Sequence, residues 1–286
     1  ARRAGLVEEI VGASTTAANR AKAEELGLVS RAYENAADAV AGADLVILCT
    51  PVGAYARLAE EIGPHLAPGA IVTDVGSVKA AVVRDVRPHL PPHVHFIPGH
   101  PIAGTEQSGP EAGFAELFDG RWCILTPEVD VDRIALAKLE DFWVRLGSNI
   151  EIMTPEHHDL VLAITSHVPH LIAYNIVNTA AHLERVTDKE VIKFSAGGFR
   201  DFTRIAASDP IMWRDVFLNN KEAVLEMLGR FSEDLVSLQR AIRFADAETL
   251  ERLFTEARAT RRGIIAAGQD TGVPDFGRLG KGPAIR

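Results

Sequence analysis

The 286 residues are long for one domain and sufficient for two. Hydrophobic residues make up 47% of the chain, enough for a sizeable core, and the net charge of -9 disfavours a nucleic-acid surface, which calls for clustered Lys and Arg. No stretch holds the ~20 continuous apolar residues that span a bilayer, and the N-terminus lacks a signal-peptide layout, so a cytoplasmic chain without membrane contact is expected.

Residues 7–14 (VEEIVGAS) read as a strand, and 16–26 as a helix closed by Gly27. A short helix (35–42) and a fully apolar strand, DLVILCTP (44–51), come next. A helix follows through Leu66, then the strand AIVTDVGS (70–77), a helix near 78–87 and the strand VHFIPGHP (94–101). WCILTP (122–127) and NIEIMTP (149–155) read as strands with a helix (132–146) between them. Strands alternating with helices imply parallel βαβ units, and continuous apolar runs fit a sheet covered on both faces. Cys49 and Cys123 lie in such runs and read as buried thiols rather than a disulfide.

After Pro155 only helical periodicity remains, as far as about Ala267. The fold class expected is α/β: a Rossmann-type, mostly parallel domain (1–155), an all-helical domain (156–267) and a Gly- and Pro-rich tail (268–286). The long helices suggest a homodimer.

Nicotinamide dinucleotides bind at the carboxyl ends of strands in such sheets. Here CTPVG (49–53), DVGSVK (74–79) and PGHPIAGTEQSG (98–109) end successive strands. Thr50, Pro51, Val52, Gly76 and Ser77 are therefore candidate cofactor contacts. A single Gly- and Pro-containing loop would mean little, but three in succession point to a site. His100 lies at a strand end, where a histidine has little structural reason to sit, and its ordinary pKa near 6.5 suits a general base. The alternative is a solvent-facing loop histidine. His65, His89, His93 and His95 read as surface or packing residues. His167 and His170 share one helix face, but spacing flags no third ligand, so no metal is expected. His157 and His158 open the same helix, where capping or exposure suffices for them. Arg204 presents a fork suited to a carboxylate, or pairs with Asp201 or Asp209 in a structural salt bridge.

GHPIAGTEQSG (99–109), ITSHVPHLIAY (164–174) and GGFRDFTRIAASDPIMWRD (197–215), with VTDVGSVK (72–79) upstream, strongly resemble the prephenate/arogenate dehydrogenase family. The resemblance covers the chain to about residue 270. It implies oxidative decarboxylation of prephenate or arogenate with NAD(P)+. It makes His100 the catalytic base and gives Ser77 the task of orienting that base. It assigns His170 to the substrate side chain and Arg204 to the ring carboxylate. Gly104, Thr105, Glu106, Asp201 and Trp213 fall on family positions around the substrate, with Trp213 open to a role in the partner subunit's site.

Two features depart from the family pattern. The family opens with a strand and a GxGxxG turn, and neither occurs in this chain. That strand belongs at the sheet centre, so neighbouring strands are expected to carry unpaired edges. The strand that usually ends in an acidic residue for NAD instead ends in GASTT (12–16), so Ser14 and Thr15, helped by Arg20, point to NADP or to use of both cofactors. The tail after Gly268 is short for a regulatory domain, so any inhibition by tyrosine is expected to be competitive. Two rivals remain. One is a 3-hydroxy acid dehydrogenase with a catalytic Lys193 or Lys221; the other is a non-catalytic regulatory protein on the same fold.

Overall fold

The computed structural model describes residues 1–104, 107, 109–184 and 193–266. It forms two compact units, Ala1–Val224 and Leu225–Arg286. The first unit opens with β1 (Val11–Ala13), α1 (Ala17–Glu25), β2 (Arg31–Tyr33) and α2 (Ala36–Val40). Then come β3 (Leu45–Leu48), α3 (Tyr55–Ile62), β4 (Ile71–Asp74), α4 (Ala80–Val86), β5 (His95–Phe96) and β6 (Gly99–Pro101). β7 (Trp122–Leu125), α5 (Arg133–Arg145) and β8 (Asn149–Ile152) complete the sheets.

β1 pairs with β2 in parallel, and β3, β4 and β5 form a second parallel group. Among the described residues no strand joins the two groups, so β1 and β3 each keep one open edge. The segment 94–101, expected as one strand, divides at Pro98. Ile97 donates its N–H to Val72 O, ending the pairing with β4; Pro98 has no N–H to continue it. The chain turns there and β6 pairs antiparallel with β7, His100 opposite Ile124. Thus His100 lies within a strand, β6, and not in a solvent-facing loop. β2 had escaped the sequence reading because its three residues, RAY, show no apolar run.

All four residues of β4 are buried. Val72 belongs to a core with Leu48, Tyr55, Ile62 and Val82, while Ile71 belongs to a core with Ile97, Leu125, Leu139 and Trp143. Alternate side chains of one strand thus enter opposite cores, as in a sheet covered on both faces. Asp132 caps α5 by accepting N–H bonds from Ile134 and Ala135. Cys123 is buried as expected, but Cys49 is exposed, because it lies just past the end of β3.

The helical continuation of this unit contains α6 (Pro155–Leu162), α7 (Val168–Glu184), α8 (Gly197–Thr203) and α9 (Pro210–Asn219). α6 and α7 are continuous through one π-helical turn, Ala163–His167. Pro169 accounts for it: a proline ring collides with the carbonyl four residues back in an α-helix, and a wider turn relieves that clash. The combined helix, Pro155–Leu183, is long and apolar enough to cross a membrane, although no continuous apolar run suggested it. Here Asp159 anchors it: its carboxylate accepts the N–H groups of Lys79 and Ala80, at 2.7 and 3.0 Å.

α10 (Lys221–Arg243) starts in the first unit, and its remainder forms the second unit with α11 (Ala247–Ala266). Asp246 caps α11 through Thr249 N–H. These helices expose Leu225, Leu235, Val236, Ile242, Phe254, Ile264 and Ile265.

Candidate active site

The site is built around β6. Gly99 N–H donates to Asp74 Oδ1 at 3.0 Å, and Gly99 O accepts from Lys79 Nζ at 2.7 Å. A Cβ on Gly99 would meet Asp74 O and Thr73 Oγ1 at 3.1 Å, so the strand approaches this closely because residue 99 is glycine. Asp74 and Lys79 are both fully buried and form an ion pair. Burial pushes the Asp74 carboxyl up, while Lys79 and the N–H groups of Gly76 and Gly99 pull it down. Burial likewise pushes Lys79 down against the attraction of Asp74. A buried pair survives only when its remaining polar atoms are satisfied, and here backbone groups do that.

His100 is itself buried. Its Nδ1 lies 2.8 Å from Nε2 of His158, whose Nδ1 lies 2.8 Å from Asp159 Oδ1. His158 is fully buried, which overturns the capping or exposed role expected of it. Burial drives the pKa of His100 well below 6.5, and the nearby His158, Lys79 and His167 act in the same direction. The resemblance gives Ser77 the task of orienting His100; in the structure His158 makes that hydrogen bond. The Ser77 backbone instead lies beside His167 and favours its protonated ring.

The π-helical turn and α7 supply the opposite wall. His167 is fully buried, and its Nδ1 is 3.0 Å from Asn220 Nδ2, which also donates to Asp159 O at 2.8 Å. His170 directs Nδ1–H to Ser166 O at 2.8 Å, which leaves Nε2 as the ring nitrogen not used in that bond. Its ring stacks on Trp213 of the same chain, with centroids 3.7 Å apart and planes 23° apart. Arg204 opens the turn after α8 and lies near enough to His170 to lower its pKa, behind burial as the main cause. Asp201 is exposed on α8, and Asp209 caps α9 through Met212 N–H. Gly104 is exposed beyond β6, while Thr105 and Glu106 lie outside the described residues.

The loops that end β1, β3 and β4 carry the proposed cofactor contacts. Ser14 N–H bonds to Tyr33 O, and Arg20 reaches Ser14 O at 2.6 Å and Glu34 at 3.4 Å. Thr15, Thr50 and Pro51 are exposed, whereas Val52 and Gly76 form a buried floor. A Cβ on Gly76 would meet Asp74 Oδ2 at 2.9 Å and Val52 Cγ2 at 3.1 Å. This exposed rim over a closely packed glycine floor fits a flat ring system laid at the strand ends. Gly53 packs in turn against Asp215 of α9, where a Cβ would lie 2.5 Å from the carboxylate. Among the described residues no group of three or more His, Cys, Asp or Glu is placed to hold a metal ion.

Two family models match the chain: the nucleotide-binding domain of prephenate dehydrogenase over residues 1–152, and its dimerization domain over residues 154–256. The chain belongs to the prephenate dehydrogenase family. It is 42% identical over 242 residues to a cyclohexadienyl dehydrogenase of Zymomonas mobilis, covering 85% of this chain and 82% of that one. It is 34% identical over 258 residues to a prephenate dehydrogenase of Bacillus subtilis, covering 90% and 69%. Among solved structures, the prephenate dehydrogenase of A. aeolicus in complex with hydroxyphenyl propionate and NAD+ superposes with a TM-score of 0.84 at 38% identity, covering 92% and 91%. The arogenate dehydrogenase of Synechocystis gives a TM-score of 0.74 at 29% identity, covering 89% and 91%.

His158, Asp159 and Asn220 are site-building residues that the sequence reading missed. The first two carried a signal: His and Asp side by side in the opening turn of an otherwise apolar helix.

The buried histidines make stability depend on pH. Burial lowers the pKa of His100, His158 and His167, the last to about 4. Below pH ~6.5 the unfolded chain binds protons that the folded site refuses, so stability is full above that pH and falls as acid is added. For His167 alone the loss by pH 4 is on the order of 3 kcal/mol. Urea unfolding followed from pH 7 to 4.5 should show a falling midpoint, with a shallower fall in His167→Gln. A midpoint that stays constant would contradict the burial of neutral histidines.

Proposed function

We propose that this chain oxidatively decarboxylates prephenate, arogenate or both, giving 4-hydroxyphenylpyruvate, tyrosine or both, with NAD(P)+ as hydride acceptor. The observation that carries the reading is a buried, neutral histidine, His100, backed by His158 and Asp159. Family membership and the names of the relatives support it. In this reading residues 1–155 bind the nucleotide, 156–267 supply substrate contacts and the dimer interface, and 268–286 form a tail.

The substrate is a cyclohexadienol with a ring carboxylate opposite its hydroxyl-bearing carbon. Bound NAD(P)+ supplies the oxidant that takes a hydride from that carbon. His100 accepts the hydroxyl proton as the carbonyl forms, and Ser77 approaches the substrate hydroxyl and the nicotinamide. Arg204 grips the ring carboxylate until carbon dioxide leaves and the ring becomes aromatic. His170, pinned by Trp213 and Ser166, offers Nε2 to the substrate side chain. Gly104, Thr105, Glu106 and Asp201 complete the substrate side. Thr50, Pro51, Val52, Gly76 and Ser77 receive the nicotinamide end, and Ser14 and Thr15 the adenosine end. Positioning two reactants supplies more of the rate than the base, whose share is about 10²–10⁴-fold.

The apolar faces of α10 and α11 support a homodimer, in keeping with the dimerization-domain match. The chain is read as cytoplasmic. Of the lysines a 3-hydroxy acid dehydrogenase would use, Lys193 lies exposed over the Phe194 ring and Lys221 is exposed, which disfavours that rival.

His100→Asn should lower kcat by about 10²–10⁴-fold with either substrate while cofactor affinity stays within twofold; near-wild-type turnover would remove His100 from the mechanism. The small hydroxyl side chains of Ser14 and Thr15, beside Arg20, leave room for a 2′-phosphate. We therefore expect a higher kcat/KM with NADP than with NAD, and equal or reversed values would refute this assignment. Tyrosine is the arogenate product and keeps the ring oxygen and side chain of arogenate, so its inhibition should be competitive. Inhibition that excess prephenate fails to relieve would place tyrosine elsewhere.

A further inference from the structure

We propose that His158 and Asp159 are positioning residues that fix the tautomer of His100 and thereby create its basic nitrogen. The proposal rests on the reading of His100 as the base. Asp159 Oδ1 accepts from Lys79 N–H and Oδ2 from Ala80 N–H, at 2.7 and 3.0 Å. Backbone amides only donate, so both oxygens serve as acceptors, as a carboxylate requires. The remaining neighbour of Oδ1 is His158 Nδ1 at 2.8 Å, which must therefore carry a proton. A neutral imidazole has one N–H, so His158 Nε2 is left as a bare acceptor. His100 Nδ1, 2.8 Å from that atom, must then be the donor. The lone pair of neutral His100 is thus confined to Nε2, the nitrogen not engaged with His158.

Two observations keep His158 in this role. Burial lowers its pKa, opposed by its bond to Asp159, so it is a neutral acceptor near pH 7. Its ring is fixed edge-on to His100, with centroids 5.1 Å apart and planes at 61°. In water an unconstrained histidine side chain favours the opposite tautomer, with the proton on Nε2, which then has no lone pair to offer a substrate hydroxyl. During turnover the substrate O–H bond breaks and a His100 Nε2–H bond forms; no proton has to travel to Asp159. The new imidazolium keeps Nδ1–H aimed at His158, with the Asp159 carboxylate behind it as counter-charge. The same logic governs a histidine base held by an aspartate in serine proteases, here lengthened by one ring.

A histidine that merely packed α6 against α4 would leave the tautomer of His100 unconstrained. The full chain labelled with ¹⁵N-histidine separates the two roles. Long-range ¹H–¹⁵N spectra of the wild type should show neutral His100 protonated at Nδ1; protonation at Nε2 overturns the proposal without any variant. His158→Phe removes the acceptor. It should move the His100 proton towards Nε2 and lower kcat by about 10–100-fold with substrate KM within twofold. His158→Gln keeps a carbonyl acceptor and should recover most of both readouts. A folded His158→Phe enzyme with kcat within twofold of wild type, or a Gln variant no better than Phe, also overturns the proposal. If His100→Asn retains turnover, the base reading fails instead, whatever the tautomer spectra show.

Discussion

The carboxylate of Asp159 takes the amide N–H groups of Lys79 and Ala80, at the start of α4, and much of the site hangs from that joint. α6 cannot slide along the sheet without stripping the buried Lys79 amide and the partly buried Ala80 amide of their acceptor, and the buried one would cost about 1–3 kcal/mol if orphaned. The same residue holds His158 through its side chain and Asn220 through its carbonyl. Asn220 in turn reaches His167. One carboxylate therefore fixes the helix that carries the substrate wall relative to the strand that carries His100. Beneath it, the Asp74–Lys79 pair fixes β6 by holding both the N–H and the carbonyl of Gly99. These two acid-centred joints leave His100 little freedom of position.

The electrostatics follow from that enclosure. His100, His158 and His167 crowd together under burial, and protonating any one would raise the cost of protonating the next. Lys79 adds a positive charge nearby, although Asp74 neutralises it at close range. The cluster therefore favours neutral rings, which is the state a proton acceptor needs. Desolvation also strengthens each hydrogen bond in the chain from His100 to Asp159. In the proposed role of base, His100 would stay unprotonated below the pH at which an exposed histidine is lost to protonation.

The resemblance motifs, more than hydrophobic period, made the site legible. The motifs that carry His100, His170 and Trp213 are long enough to single these residues out, and the structure stacks His170 directly on Trp213. The parallel sheet was readable from apolar runs such as DLVILCTP, since strands covered on both faces need no alternation. β2 was not readable, because three residues with an Arg at the front carry neither run nor alternation. The break at Pro98 was visible as a proline yet missed as a boundary, since flanking apolar residues continue on both sides and only the sheet shows the change of partner. His158 was misjudged for a related reason. A helix N-terminus is usually exposed, and only the packing of α6 onto α4 reveals that this one is covered.

The helix Pro155–Leu183 draws these strands together, because its composition permits two opposite readings. By length and apolarity it could lie in a bilayer. Its polar residues argue otherwise, and the argument is one of partners rather than hydropathy. Asp159, His158 and His167 each meet a specific group on another element of the same unit, so none needs water or lipid headgroups. Pro169 then decides the local geometry. A regular α-helix would clash at that ring, and the π-helical turn that avoids the clash rotates the residues after it relative to those before. Without the extra residue in that turn, His167 and His170 would be offset by about 100° around the axis from their present relation to His158. The proline thus does more than interrupt the hydrophobic pattern: it sets where His167 and His170 lie around the axis relative to His158.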